Sequence, residues 1–437
     1  MFIAPIVLAL LIISTPVTLI VDGPMVHGLV TAAAATSVAS IALQFRPGEA
    51  QFLSLLIRPA AIIAAFPALW MVFQVLPLNS VGLANPIWES AATALGHSLA
   101  GSISIDPGAT LISLARYLSF VAIAFVSAAL TIDRQRAQAC LYLLTAIVSL
   151  IALIVLAIVL GGFTFPSNSG GKPVINAATD ISCLGVILAT ATALHAFETL
   201  ERKKLQKPDQ GGSAVWLRLI FVGSSVAVAI SFLAVAVAAT AEAYFAVTCG
   251  CAALFAAILI RRFRLGPWGY SAIASIALVV AVGIVVPLHG FQKVDLTLAF
   301  AAGAPAPLIA LTQRTLTETA WWGTGAGTYA AALPIYRGIS ELTAGPLAPT
   351  AAANIAVELG RPFFWAVLAA AMALFITFLS RALKRHRDSF YSIAGAGCIM
   401  TISLLAFTNI SVLSTPVLVV TSAVIGLAIA QSKSRSA

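Results

Sequence analysis

Long apolar blocks, broken by short polar or proline-bearing joints, set the pattern of this chain. A helix that crosses the hydrocarbon core of a bilayer needs about 20 mostly apolar residues. Windows of that size fit at 3–21, 25–44, 53–76, 109–131, 137–161 and 177–197. Six more fit at 216–238, 243–260, 268–288, 362–380, 391–410 and 413–431. The blocks at 25–44 and 243–260 are rich in Ala and Thr and carry the weakest signal. Lipid offers bare peptide groups no hydrogen-bond partner, so each block is expected as a helix. The fold class expected is an all-α polytopic membrane protein with about 12 transmembrane helices. The first block has no basic leader and runs into the second, so it reads as a retained helix and not a cleaved signal.

Composition agrees: 60% of residues are hydrophobic, 9% are charged, and the mean hydropathy is +1.03. That excludes a soluble globule. The joints then divide by charge. If the N-terminus is cytoplasmic, 18 of the 24 Lys and Arg residues fall on cytoplasmic joints or adjoining helix ends, notably 202–207, 261–264 and 381–387. Lys172, Lys293, Arg314, Arg337 and Arg361 lie toward the other side, and Arg116 lies inside a block. This asymmetry orients the chain with both termini cytoplasmic. The net charge of +9 is thus a topology signal and does not point to nucleic acid. All five cysteines sit inside apolar blocks, with neither a disulfide pattern nor zinc spacing. No metal or cofactor is expected.

The blocks and joints give three regions: helices one to nine over 1–288, a large outer loop over 289–361, and three helices with a tail over 362–437. The basic inner joint 201–215 separates six blocks from six. An outer joint at 77–108 ends in Ser-Ile-Asp-Pro-Gly, a turn sequence leading into the fourth block. Arg116 follows about two turns into that block. Its burial in lipid costs at least about 2.5–3.5 kcal/mol, so it should face a cavity or a partner, or snorkel to the headgroups. Asp180 opens the sixth block, where an acid favours a helix N-terminus.

Polar chemistry concentrates at 311–337, LTQRTLTETAWWGTGAGTYAAALPIYR. Arg314, Glu318, Trp321, Trp322, Gly323, Gly325, Gly327, Tyr329, Tyr336 and Arg337 fall within it. Closely spaced glycines let backbone amides approach a ligand, and arginine forks suit phosphate oxygens. The plainer reading of the same residues is a surface helix from Pro305 to Ala320, with Arg314 and Glu318 paired at i,i+4 and the glycines turning the chain.

An arginine-bearing helix, Trp321-Trp322, Gly323-Thr-Gly325-Ala-Gly327-Thr-Tyr329 and then Glu358-Leu-Gly360 resembles the O-antigen ligase / O-antigen polymerase superfamily. Ser104-Ile-Asp106-Pro-Gly-Ala-Thr110 and Asn176 resemble its entries to helices four and six, and the likeness is patchy over 60–380. The resemblance implies a bacterial inner-membrane enzyme of type C glycosyltransferase architecture, with 289–361 periplasmic and an undecaprenyl-diphosphate-linked glycan as donor. Its partners would be that glycan, membrane lipids and other polysaccharide-assembly proteins. Family ligases carry a His-Asn pair where this chain has Pro349-Thr350, and an arginine motif where it has Thr240-Ala241-Glu242. Loss of the histidine favours a polymerase of exopolysaccharide or O-antigen repeat units over a ligase.

A lipid diphosphate is already a good leaving group, so the site needs cationic charge opposite the phosphates and a group to deprotonate the acceptor hydroxyl. Arg314, Arg337 and Arg116 are expected on the diphosphate, Glu318 or Glu341 as the base, and Tyr329, Tyr336, Trp321 and Trp322 on sugar faces, with the three glycines lining the substrate. Ligase-type transfer, a lipid-linked oligosaccharide flippase, a twelve-helix transporter and a non-catalytic accessory protein stay open as alternatives.

Overall fold

A computed structural model describes residues 3–21, 23–44, 47–78, 82–162, 172–206, 211–263, 295–301, 303–338, 347–384 and 389–432. The block expected at 268–288 and the candidate base Glu341 lie outside the described residues. Within them the chain is all helix and loop, with no strand. The helices are α1 (Ile3–Ile13), α2 (Thr15–Ile20), α3 (Pro24–Gln44), α4 (Pro47–Val75), α5 (Ile87–Leu95), α6 (Pro107–Leu130), α7 (Arg134–Gly161) and α8 (Lys172–Gln206). They continue as α9 (Gly211–Ala238), α10 (Ala241–Phe263), α11 (Ala306–Glu318), α12 (Tyr329–Tyr336), α13 (Ala351–Glu358), α14 (Arg361–Lys384), α15 (Phe390–Leu405) and α16 (Thr415–Ala430). Short 3-10 turns occur at Leu296–Leu298 and Ser411–Leu413.

Eight of these helices are long and apolar enough to cross a membrane: α3, α4, α6, α7, α8, α9, α10 and α14. The chain is therefore a polytopic membrane protein. The first expected block divides at Ser14 into α1 and α2, and the last two blocks form the 16-residue helices α15 and α16. Polar caps set the starts of α6 and α7. Asp106 accepts from the Ala109 amide at 3.0 Å, with Pro107 at the first helical position of α6. Asp133 caps α7 in the same way, and Gly162 (φ 64°) ends it in the left-handed conformation.

The bundle is organised around α8. Its apolar span is 78% buried, against 11% for α4 and 17% for α14, whose outer faces carry Leu55, Ile62, Leu69, Trp365 and Ile376 for lipid. Helices α7, α9, α10 and α15 pack around α8, while α6 lies between α3, α4 and α16. The main core joins Leu144, Ile151, Leu184, Ile187 and Val420. Small residues allow close crossings: a methyl on Gly250 of α10 would meet Thr401 Oγ1 of α15 at 2.0 Å.

The described residues between 295 and 364 build their own small core over one end of the bundle. Leu311, Leu316, Tyr329, Leu333, Ala353, Val357 and Phe364 form it, with Phe407 and Ile410 packed against it. Thr350 caps α13 through the Ala353 amide (3.0 Å) and donates to Thr297 O (2.7 Å). Arg361 donates to Leu316 O at 2.7 Å and lies 4.0 Å from Asp295, which clasps the start of α14 to this cap.

Candidate functional site

Three stretches far apart in sequence meet where the cap rests on α4 and α6. Gly323, Gly325 and Gly327 hold φ values of 83°, 106° and 77°, a region that favours glycine. Their loop runs against Glu358-Leu-Gly360: Gly325 N donates to Glu358 O at 2.9 Å, and Thr324 N to Val357 O at 3.0 Å. On the other side Ile105 N donates to Thr324 O at 2.9 Å. A methyl on Gly325 would lie 2.3 Å from Ser104 Oγ, and one on Gly323 2.3 Å from Glu358 O. The lack of side chains at these glycines therefore serves close contact with the chain itself: the Glu358 backbone and the Ser104 and Ser113 hydroxyls.

Gln74, fully buried at the end of α4, fastens the junction. Its Nε2 donates to Glu358 O (2.9 Å) and Trp322 O (3.2 Å), and its Oε1 accepts from Ala326 N (3.2 Å). Its own carbonyl accepts from Ser104 N at 3.0 Å.

At the centre is the half-buried Glu358. Its Oε1 accepts from Tyr329 N at 3.1 Å, and the Gly327 amide also donates to the carboxyl. The glycine-rich loop is thus an amide nest, and the anion it holds is a side chain of this protein. Burial pushes the carboxyl up to about 7, opposed by the two amides, the Asn354 side chain and the charge of Arg116. Such a group both takes and gives a proton near neutrality. Tyr329, whose hydroxyl bonds Thr312 Oγ1 at 2.8 Å, is pushed up to about 12 by burial, with the Glu358 charge adding to the rise and the Thr312 bond opposing it.

Arg116 approaches from α6. Its Nη2 donates to Leu413 O (2.9 Å) and Thr415 Oγ1 (3.2 Å), and its guanidinium carbon lies 6.0 Å from the centre of the Phe120 ring. The arginine is held by the turn between α15 and α16 and the first residue of α16. Asp180 corrects the sequence expectation: α8 begins at Lys172, so Asp180 is not an N-terminal residue. It is 1% exposed and accepts from Ser411 and Asn409.

The remaining expected site residues distribute differently. Arg314 and Glu318 pair at 2.8 Å on the exposed face of α11, as the surface-helix reading has it. Arg337 follows α12 and is half-buried, and Tyr336 packs against the cap core. Trp321 and Trp322 line an apolar cleft of about 170 Å³ with Phe66, Trp70, Leu359, Pro362 and Phe363. There Trp322 meets Trp70 at 5.9 Å, and the Trp70 indole donates to Leu359 O at 2.9 Å. Sequence reasoning named Glu358 as part of a motif without a role, and passed over Gln74 and Asn354. No group of three His, Cys, Asp or Glu side chains fit to hold a metal occurs among the described residues. No protein-family model matches the chain, and no curated protein matches it either.

Proposed function

We propose that this protein is an inner-membrane glycan polymerase. It joins oligosaccharide repeat units carried on undecaprenyl diphosphate at the periplasmic face. In this reading the chain crosses the membrane about 12 times, both termini are cytoplasmic, and residues 289–361 form a periplasmic cap in a type C glycosyltransferase arrangement. The observation that carries the reading is the meeting at Glu358. The three motifs that resemble the O-antigen ligase / polymerase superfamily, 104–110, 321–329 and 358–360, are hydrogen-bonded together around one carboxylate facing one arginine.

Glu358 then takes the base role expected earlier of Glu318 or Glu341. The acceptor hydroxyl oxygen attacks the anomeric carbon of the donor sugar as Glu358 removes its proton. The bond from that carbon to the diphosphate oxygen breaks, and undecaprenyl diphosphate leaves with the electron pair. Arg116 offsets the charge that develops on the phosphates. The Trp321–Trp322 cleft offers no hydrogen-bonding side chain apart from indole nitrogens, so it suits the isoprenoid chain of the donor better than a sugar face.

The test is what accumulates on the carrier lipid in a deletion strain. A polymerase acts after its units have crossed the membrane, so single units open to a periplasmic glycosidase are expected. Complete chains left on the lipid make the protein a ligase, and single units protected from the glycosidase make it a flippase.

A further inference from the structure

An acid inside a membrane-spanning helix costs about 2.5 kcal/mol or more, and it persists where something depends on it. Asp180 sits in α8, 1% exposed, two helices after the one that carries Arg116 and five before the one that carries Glu358 in chain order. Its two oxygens are taken by one short stretch of chain. Ser411 Oγ donates to Oδ2, and Asn409 Nδ2 reaches Oδ1 at 3.4 Å. Ser411 N also donates to Asn409 Oδ1 at 2.9 Å, so acid, amide and hydroxyl lock the turn between α15 and α16.

That turn holds both halves of the site. Leu413 O receives Arg116 Nη2 at 2.9 Å. Asn409 O and Ala406 O receive the amides of Ala351 (3.1 Å) and Ala352 (2.8 Å), which fix the start of α13. Glu358 is the last residue of that helix. A single buried carboxylate therefore sets the turn from which the guanidinium is held and against which the carboxylate helix is seated.

We infer that Asp180 is a positioning residue for glycan transfer: through the 406–415 turn it fixes Arg116 and Glu358 relative to one another. The inference rests on the transfer reading given above. Asp180 meets neither group directly, so its removal should act on turnover more than on substrate binding, and only through them.

The experiment uses the full chain in lipid nanodiscs, with lipid-linked single units extracted from the deletion strain as donor and acceptor. Asp180→Leu should lower kcat about a hundredfold, the size seen when a charge-stabilising donor is displaced, with KM little changed. Asp180→Asn keeps an acceptor for Ser411 and should restore most of the loss. In the double variant Asp180→Leu/Arg116→Lys the losses should not multiply, because both substitutions disable one unit. Native turnover by Asp180→Leu, or losses that multiply, overturns the inference. If Asp180→Leu does not accumulate in the membrane, Ser411→Ala removes a single hydroxyl from the same lock. It should show the same split between kcat and KM and the same failure to multiply, and native kcat there overturns the inference. Full activity of both Arg116→Lys and Glu358→Gln overturns the transfer reading itself, and this inference falls with it.

Discussion

At the scale of single residues, the arginines separate by how each is held. Arg314 is committed to Glu318 across an exposed helical turn, a pair worth about 0.2–1 kcal/mol. Arg314→Ala is expected to leave turnover near native and to lower the melting midpoint only slightly. Arg116 is tied inside the bundle, where Lys would supply a charge without the planar fork. Arg116→Lys should cost about 10²-fold in turnover with the protein still inserted. Equal losses at both positions would count against this assignment. Glu358 adds a titration. Its carboxyl rises from the ordinary 4.5 to about 7 because burial disfavours its charge. Between those values the folded chain keeps a proton that the unfolded chain gives up, so this group's contribution to stability falls as pH rises from 4.5 through 7. Glu358→Gln should therefore melt higher than native at pH 8, with the gap closing toward pH 5, while turnover drops about 10²–10⁴-fold for want of a base. Native turnover that is flat across neutrality would remove Glu358 from that role.

Elements carry a different dependence. The end of α4, the entry to α6, the glycine loop and the end of α13 are joined mostly by backbone groups, and Gln74 is the side chain that closes the gaps among them. Gln74→Leu would strip Trp322 O and Ala326 N of the bonds Gln74 makes to them in a buried place, at about 1–3 kcal/mol each, while Glu358 O keeps the Gly325 amide. A fall of the melting midpoint large enough to reduce accumulation in the membrane is expected, with Gln74→Glu an incomplete rescue because a carboxylate cannot donate to the two carbonyls. The helices themselves were legible because apolar runs bounded by Asp, Pro and Gly are local signals: α6 covers 107–130 where 109–131 was expected, and α9 ends at Ala238 as expected. The junction was not legible in the same way. Nothing in the spacing of Gly323, Gly325 and Gly327 says that their partners are Ser104, Ser113 and Glu358, since that pairing depends on how the cap sits on α4 and α6. The density of polar side chains at 311–337 drew attention to Arg314 and Glu318, which satisfy each other at the surface. The carboxylate that feels the charge of Arg116 stands in an alanine-rich helix with little polarity to mark it. Asp180 had a local signal, an acid inside an apolar block, but its turn lies some 230 residues downstream.

For the molecule as a whole, the proposed sidedness is open to chemical labelling. With the five native cysteines replaced, single cysteines at Ser90 on α5 and Thr317 on α11 should react with an impermeant thiol reagent in intact cells. A cysteine at Gln135, at the start of α7, should react only after the membrane is opened. The reverse pattern would turn the chain over and end the periplasmic reading. The same long-range ties also bear on how the protein is made. Arg116 leaves the ribosome 297 residues before the carbonyl that holds it, and Asp180 precedes Ser411 by 231. A nascent chain that has reached Lys384 already contains Gln74, Arg116, the glycine loop and Glu358, yet lacks the turn that sets them. On the proposed reading, synthesis thus carries its own safeguard: chains that have not reached the 406–415 turn sit beside lipid-linked glycans without consuming them, and competence arrives only with that turn.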